Sequence, residues 1–237
     1  KAKGFQGIFV GSGAGLPNFM DIPGENALNI MSSNEYLTRV NLMDAANPST
    51  DTPINLGKKV LVVGGGNTAM DSCRTAKRLG ADVTLVYRRS EAEMPARIEE
   101  VKHAKEEGIK FMTLHNPKEY LTDENGAVKA AVLDVMQLGE PDQSGRRRPE
   151  TTGETITIEC DQVIVAVGVS PNPLVPKSIE GLTLGRKNTI AVNDQMQSSR
   201  KEIYAGGDIV RGGATVILAM GDGRRAAMNM SKQLTEA

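Results

Sequence analysis

Residues 60–71 read VLVVGGGNTAMD, an apolar run followed by three glycines and the polar start of a helical pattern. Gly64, Gly66 and Ala69 match G-x-G-x-x-G/A in the order strand, turn, helix. The first glycine permits a tight bend, the second lets the backbone approach a pyrophosphate, and the small third residue lets helix and strand pack closely. The helix start adds free N–H groups and the positive end of its dipole. The stretch predicts a dinucleotide-binding turn rather than a plain strand–helix connection, made of six residues: Gly64, Gly65, Gly66, Asn67, Thr68 and Ala69.

The sequence downstream of this turn alternates between strand and helix patterns. The order strand, helix, strand, helix, strand within a short stretch predicts an α/β fold with a parallel sheet and right-handed crossovers. Gly80 and Gly108 end the two helices. The predicted elements are a strand at 58–65, a helix at 68–79, a strand at 81–89, a helix at 95–107 and a strand at 109–115.

The second of these strands ends in VYRRS. An NAD site usually has an acid at this position, where it accepts a hydrogen bond from the ribose 2′-hydroxyl. Arg88 and Arg89 stand there instead, and paired guanidinium groups suit the dianionic 2′-phosphate of NADP. The sequence therefore favours NADP(H) over NAD, the alternative being a solvated arginine pair at a strand end.

The remaining sequence predicts an antiparallel excursion and a second nucleotide-facing segment. Alternating β-rich runs over 116–159 flank the polar insert GEPDQSGRRRPETTG, which predicts a hairpin with an exposed tip. The run of Arg146 to Arg148 either docks an acidic partner or keeps that tip solvated, and we favour the solvated tip. DQVIVAVGVSPNP (161–173) resembles GIFVGSGAGLP (7–17), which suggests two related units. Near the C-terminal end of the sequence, a predicted strand is followed by two glycines and Asp208. A helix is predicted to start near Ala214 or Thr215.

Composition excludes several functions. The 237 residues are 39% hydrophobic and carry a formal net charge of -1, which argues against nucleic acid as a partner. No apolar run reaches the roughly 18 to 20 residues that a membrane span needs. Cys73 and Cys160 form no CxxC pair, and His103 and His115 have no ligand-spaced neighbours, so no metal site is predicted. Two buried thiols are typical of a cytoplasmic protein.

Four stretches together carry a family resemblance: GGGNTAMD, VYRRSEAEMPA, LGEPDQSGRRRP and AGGDIVRGGATVILAMGDGRRAA. They resemble the small (β) subunit of glutamate synthase and, more widely, flavoprotein subunits of NADPH and ferredoxin oxidoreductases and the flavin half of dihydropyrimidine dehydrogenase. The resemblance covers essentially the whole chain. It implies a three-layer ββα, two-dinucleotide-binding fold (FAD/NAD(P)-binding, Rossmann-like) with an NADPH domain inserted in a partial FAD domain. The implied domains are a partial FAD-domain segment and connector at 1–50, an NADP(H)-binding domain at 51–170 and a C-terminal FAD-domain segment at 171–237.

The resemblance also implies which residues contact each cofactor. It implies no catalytic acid, base or nucleophile, because the cofactors carry the chemistry. Gly13 and Gly168 are expected at strand ends near the nucleotides. NADP(H) is expected at Gly64, Gly66, Asn67, Thr68, Arg88 and Arg89. FAD is expected at Gly207, Asp208, Ala214, Thr215 and Val216.

The chain departs from the family pattern in what it does not contain. It opens KAKGFQGIFV without an initiator Met, and it has neither a second G-x-G-x-x-G for the ADP part of FAD nor cysteine clusters. We therefore expect a C-terminal piece of an NADPH-dependent oxidoreductase subunit that holds FAD weakly or not at all. Its iron–sulfur clusters and its partner, a large glutamate synthase-type subunit or a ferredoxin-linked subunit, would lie outside this chain. The alternatives are a ferredoxin-linked or electron-bifurcating subunit and a non-catalytic NADP(H)-binding module. The absence of CxxC excludes a disulfide route within this chain.

Overall fold

The computed structural model describes residues 4–143 and 145–236, and these form two compact units. The inserted unit is Asn18–Gly168, and the outer unit contains the described residues up to Pro17 together with those from Val169 onward.

The described elements are mostly short strands, with three longer helices. Single 3₁₀ turns lie at Glu91–Glu93 and Arg186–Asn188, and a π-helical turn at Thr38–Leu42 continues α1. The strands are β1 (Ile8–Val10), β2 (Leu16–Pro17), β3 (Ile30–Ser32), β4 (Lys59–Val63), β5 (Asp82–Tyr87), β6 (Lys110–Thr113), β7 (His115–Thr122), β8 (Val128–Pro141), β9 (Arg147–Glu159), β10 (Gln162–Val165), β11 (Val169–Ser170) and β12 (Ile203–Ala205). The helices are α1 (Ser33–Leu37), α2 (Asn67–Arg78), α3 (Ile98–Glu106), α4 (Leu174–Ser178), α5 (Asp208–Arg211) and α6 (Val216–Thr235).

The inserted unit has the predicted three layers. Its central sheet has the order β3-β10-β4-β5-β6 with every neighbouring pair parallel, which confirms the predicted parallel sheet. Helices α2 and α3 pack with one face of this sheet, and the antiparallel sheet β7-β8-β9 packs with the other. The carboxyl ends of β4 and β5 lead into the glycine turn and into the two arginines, respectively.

Strand β4 contributes to two separate apolar cores. Val60 and Val62 pack with α2 and α3, whereas Leu61 and Val63 pack with the antiparallel sheet. All four side chains are at most 4% exposed. Side chains alternate across a strand, so a continuous apolar run is what a strand buried on both faces requires.

The outer unit is built around a short parallel pair. Strand β1 pairs with β12, and β2 pairs with β11 in antiparallel orientation. Val10, Ile203 and Ala205 form its core together with Ile190 and Ile209. Helix α6 follows β12 after a glycine-rich segment, which agrees with the predicted helix start near Thr215.

The compact units divide the chain after Pro17, whereas the sequence placed a boundary near residue 50. Residues 18–50 pack with the inserted unit because β3 pairs in parallel with β10, with Ile30 opposite Val163. The N-cap of helix α1 in this region is Ser32. The Ser32 hydroxyl oxygen accepts a hydrogen bond from the Glu35 N–H at 3.2 Å.

Candidate functional site

The three glycines after β4 have different surroundings. Gly64 has φ +141°, and a side chain there would collide with the carbonyl oxygen of Ala166. A Cβ on Gly65 would lie 2.6 Å from the ring of Tyr87. A Cβ on Gly66 would meet no described atom within 4 Å. The fold therefore explains the first two glycines, whereas Gly66 leaves open space at the start of α2, as a pyrophosphate-binding turn requires.

This difference gives a clean test of the turn. We expect Gly66→Ala to leave the thermal unfolding midpoint nearly unchanged and to weaken NADPH binding about tenfold, the loss of roughly one hydrogen bond to a charged phosphate. Calorimetric titration and thermal unfolding measure the two quantities. Gly65→Ala is the matched control, because its methyl group strikes Tyr87 and should lower stability. Undiminished NADPH affinity in the Gly66 variant would show that no phosphate approaches this turn.

The start of α2 has no side-chain cap and is hydrogen-bonded to a neighbouring loop. Gly66 is the N-cap residue, and no side chain caps the helix there. Asn67, one of the residues expected to contact NADP(H), uses its Oδ1 to accept the Arg97 N–H at 2.9 Å, and the Ala96 N–H donates to the Gly65 carbonyl at 3.1 Å. Thr68 is exposed, and Ala69 is buried against the sheet as the motif requires. The first turn of α2 therefore keeps backbone N–H groups without helical partners.

The loop that follows β5, residues 88–97, is called here the arginine loop. Its shape is fixed by a capping box, in which Glu93 Oε2 accepts the Ser90 N–H at 3.2 Å and the Ser90 hydroxyl at 3.0 Å. The Tyr87 hydroxyl donates to the Glu93 carbonyl at 2.9 Å. These residues were not predicted from the sequence, although S-x-x-E is a recognisable capping signal.

Arg88 and Arg89 differ in their surroundings. Arg88 is exposed, whereas Arg89 is only 9% exposed. The Arg89 Nε is buried and has no hydrogen-bond partner among the described residues. A buried guanidinium nitrogen without a partner is costly. An anion bound beside it would satisfy that nitrogen, so this atom fits a phosphate ligand.

The predicted FAD residues lie together in the outer unit. Gly207 is the residue before α5, with φ +76°, and Asp208 begins that short helix. Asp208 Oδ1 accepts the Ala214 N–H at 3.1 Å and so closes the loop between α5 and α6. Thr215 is the N-cap of α6, and Val216, the first helical residue, is 75% exposed.

A buried ion pair holds this segment in place. Asp222 on α6 is 1% exposed and accepts two hydrogen bonds from Arg211, each 2.6 Å long. It also accepts the Gly207 N–H at 3.2 Å. The Arg211 guanidinium holds the pKa of the Asp222 carboxyl below its usual range. This pair was not predicted from the sequence, because neither residue belongs to a local motif.

Gly13 and Gly168 both adopt backbone conformations that favour glycine. Gly13, in the outer unit, has φ +70° and open space where a side chain would lie. Gly168, at the end of the inserted unit, has φ +100°, and its carbonyl accepts the Asn18 N–H at 3.0 Å. Both glycines close strand–turn segments, and their contact with nucleotides stays a prediction.

The two cysteines cannot form a redox pair with each other. Cys73 packs on the helix side of the central sheet, and Cys160 packs on the side of the antiparallel sheet. Burial raises the pKa of the Cys73 thiol well above its usual range and that of Cys160 to about 12.

We expect neither thiol to react with Ellman's reagent (DTNB) at pH 8 in the native protein, because a buried, protonated thiol is a poor nucleophile. Two thiols should react after unfolding in urea, when both cysteines are exposed. Rapid native reaction would show that one cysteine is accessible as a thiolate.

The described part of the chain contains neither a candidate metal cluster nor a membrane-spanning helix. Within residues 4–143 and 145–236, no three His, Cys, Asp or Glu side chains are grouped so that they could hold a metal ion. In the same part of the chain, no helix combines the length and apolarity needed to cross a bilayer.

These features first define a class. A parallel sheet with an uncapped glycine turn, together with a second strand–glycine–helix segment in its own unit, is typical of oxidoreductases that bind two dinucleotides. The model of the family described as pyridine nucleotide-disulphide oxidoreductase matches residues 4–223, and the chain belongs to this family.

The relatives confirm the predicted fold class and the resemblance to glutamate synthase small subunits. The chain is 40% identical over 208 residues to the NADPH-Fe(3+) oxidoreductase subunit beta of Geobacter sulfurreducens, over 78% of this chain and 31% of that protein. It is 42% identical over 177 residues to the glutamate synthase (NADPH) small chain of Escherichia coli, over 72% and 38% of the two chains. The structure of FprA from Mycobacterium tuberculosis in complex with NADPH matches with a TM-score of 0.81 at 19% identity, over 100% of this chain and 65% of that chain. The chain thus spans less than two thirds of each of these proteins.

Proposed function

We propose that this chain is the nucleotide-binding part of an NADPH-dependent flavin oxidoreductase subunit of the glutamate synthase small-subunit type. The observation that carries the proposal is the pairing of an open, uncapped glycine turn with a buried, partnerless arginine nitrogen on the adjacent loop. The turn suits a pyrophosphate, and the arginine suits a 2′-phosphate. Relatives whose names specify NADPH support the choice of NADP(H).

Two parts of the nucleotide, the pyrophosphate and the 2′-phosphate, have residues proposed to bind them. The Gly66 turn and the first N–H groups of α2 bind the pyrophosphate, and Arg88 and Arg89 bind the 2′-phosphate. The hydrogen bonds from Ala96 and Arg97 to the glycine turn keep the two binding segments at a fixed separation. We propose that the protein orients the nucleotide and that the bound cofactors carry the chemistry.

The outer unit is proposed to hold part of FAD. The segment from Gly207 to Val216 presents Asp208 and the exposed start of α6, and the Asp222–Arg211 pair keeps that segment rigid. When bound, NADP(H) and flavin supply hydride transfer between them. Onward transfer to iron–sulfur centres outside this chain and a large partner subunit belong to the same proposal, since relatives are named as small or beta subunits. A cytoplasmic location is also part of the proposal, because the two cysteines are free and buried.

The proposal is tested by titrating the chain with NADPH and, separately, with NADH in a calorimeter. Clear preference for NADPH is the expected result. Equal or tighter binding of NADH would contradict the assignment of the arginines. A longer protein that contains this chain and binds NADPH but reduces no dye acceptor would instead favour the non-catalytic module.

A further inference from the structure

The arginines of the inserted unit fall into two groups. Arg39, Arg74 and Arg78 form ion pairs with glutamates at 2.8, 2.6 and 2.8 Å. The unit's other arginines pair with no carboxylate among the described residues, and all of them lie in the arginine loop or in the β8–β9 hairpin. They are Arg88, Arg89, Arg97, Arg146, Arg147 and Arg148.

Hydrogen bonds connect these two segments. The Leu114 N–H donates to the Arg89 carbonyl at 3.0 Å, and the Met136 N–H donates to the Leu114 carbonyl at 2.8 Å. Met136 is thus linked to Arg89 through Leu114. The distal part of the hairpin is the part that runs from Met136 to the tip. Register irregularities on both sides of this part of β8 break the regular pairing with β9, and such irregularities bend a strand.

The tip of the hairpin is ordered around Arg146. The Asp142 N–H donates to the Arg146 carbonyl at 3.0 Å, and the Arg146 N–H donates to Asp142 Oδ1 at 3.0 Å. The backbone of Arg146 is therefore fixed, whereas its side chain is exposed. Arg147 differs, because its guanidinium donates to the carbonyls of Leu138 and Gly139 at 3.1 Å. These hydrogen bonds stabilise the hairpin.

The charge of Arg146 acts in the same place as the two arginines after β5. Burial raises the pKa of Tyr87, while the positive charges of Arg89, Arg88 and Arg146 act in the opposite direction. Charges influence one another appreciably only within about 10 Å in ordinary salt. Glu93 is the acidic residue that acts on Tyr87 together with these arginines, and its carboxylate already accepts hydrogen bonds from Ser90. All three guanidinium groups therefore act on Tyr87, whose hydroxyl donates to the Glu93 carbonyl in the arginine loop, and none of them pairs with a carboxylate among the described residues.

We propose that Arg146 is a further specificity-determining residue of the nucleotide site and that its guanidinium binds the 2′-phosphate of NADP(H) together with Arg88 and Arg89. The inference rests on the proposed function, since it concerns the same site. A dianionic phosphate monoester offers acceptor oxygens in several directions, and a third guanidinium from a separate segment reaches a side of the phosphate that the arginine loop leaves open. The hairpin then has a role in choosing the nucleotide.

The test uses two ligands that differ only in the 2′-phosphate, 2′,5′-ADP and 5′-AMP, titrated calorimetrically. Arg146→Ala should weaken binding of 2′,5′-ADP about fivefold, the effect of one solvent-accessible charge contact, and leave 5′-AMP binding unchanged. Arg148→Ala removes the same charge from the same hairpin and should change neither affinity. Both side chains are exposed and make no ion pair with any residue that the structure describes, so the thermal midpoint should stay constant.

Each other outcome has a definite meaning. Unchanged 2′,5′-ADP affinity in the Arg146 variant would overturn the inference. Equal losses in the Arg146 and Arg148 variants would also overturn it, because they would show a general field of positive charge rather than a contact. If the wild-type chain binds 2′,5′-ADP no better than 5′-AMP, the proposed function itself fails, and this inference fails with it.

Discussion

Replacing Arg88 and Arg89 together with alanine is expected to weaken NADPH binding about a hundredfold, because two charge-assisted contacts to the 2′-phosphate are lost. NADH affinity should stay the same, since NADH has no 2′-phosphate. The preference for NADPH would then disappear even though the glycine turn is intact. Calorimetric titration of both nucleotides against both proteins measures this directly.

The control for this prediction concerns Arg89, which is buried. Its removal leaves space inside the protein, so a second double variant, Arg88→Ala with Arg89→Met, keeps most of the side-chain volume without the charge. We expect the two double variants to bind NADPH equally weakly. If the methionine variant keeps full NADPH affinity, the loss in the alanine variant reflects altered packing, and the arginines do not select the nucleotide.

Replacing Asp222 with alanine is expected to lower the free energy of unfolding by about 3 kcal/mol, near the lower end for breaking a buried ion pair. The lower end applies because the Arg211 side chain is 34% exposed and regains water once its partner is gone. The Gly207 N–H also loses its acceptor. Urea unfolding followed by circular dichroism measures the change. The matched control is Glu236→Ala, which breaks an exposed ion pair on the same helix and should cost less than about 0.5 kcal/mol.

The same pair predicts a dependence on pH. The folded-state pKa of Asp222 is lowered, so the charged carboxylate stabilises the fold fully above its unfolded pKa of about 4. That contribution is lost as the pH falls through the folded-state value. The stability difference between the wild type and Asp222→Asn should therefore shrink in acid below about pH 4. A difference that stays constant down to pH 2 would show that the carboxylate charge is unimportant.

The parts of the fold that sequence predicted are those with long or distinctive patterns. The apolar run of β4 and the G-x-G-x-x-A spacing are local signals, and both lie where they were predicted. The extent of the inserted unit was less predictable, because β3 is three residues long and too short to show a period. Its partner β10 lies far along the chain, and only the folded sheet reveals their pairing.

The contacts around the site were predictable only in part. The two arginines after β5 are visible in VYRR, but nothing in the sequence shows that Arg89 is buried and Arg88 exposed. The pairing of Asp222 with Arg211 depends on the turn at Gly207, and the position of Arg146 depends on irregular register in the hairpin. Such contacts join segments through backbone geometry, which composition and periodicity do not encode.

The double burial of β4 has a consequence for how the inserted unit tolerates change. Val60 and Val62 belong to one core and Leu61 and Val63 to the other, so the strand has no side that faces water. A slip of one residue in its pairing would exchange the two sets and place each side chain in the wrong layer. Both layers therefore oppose the same slip in register. Together they fix the position of the glycine turn that follows this strand.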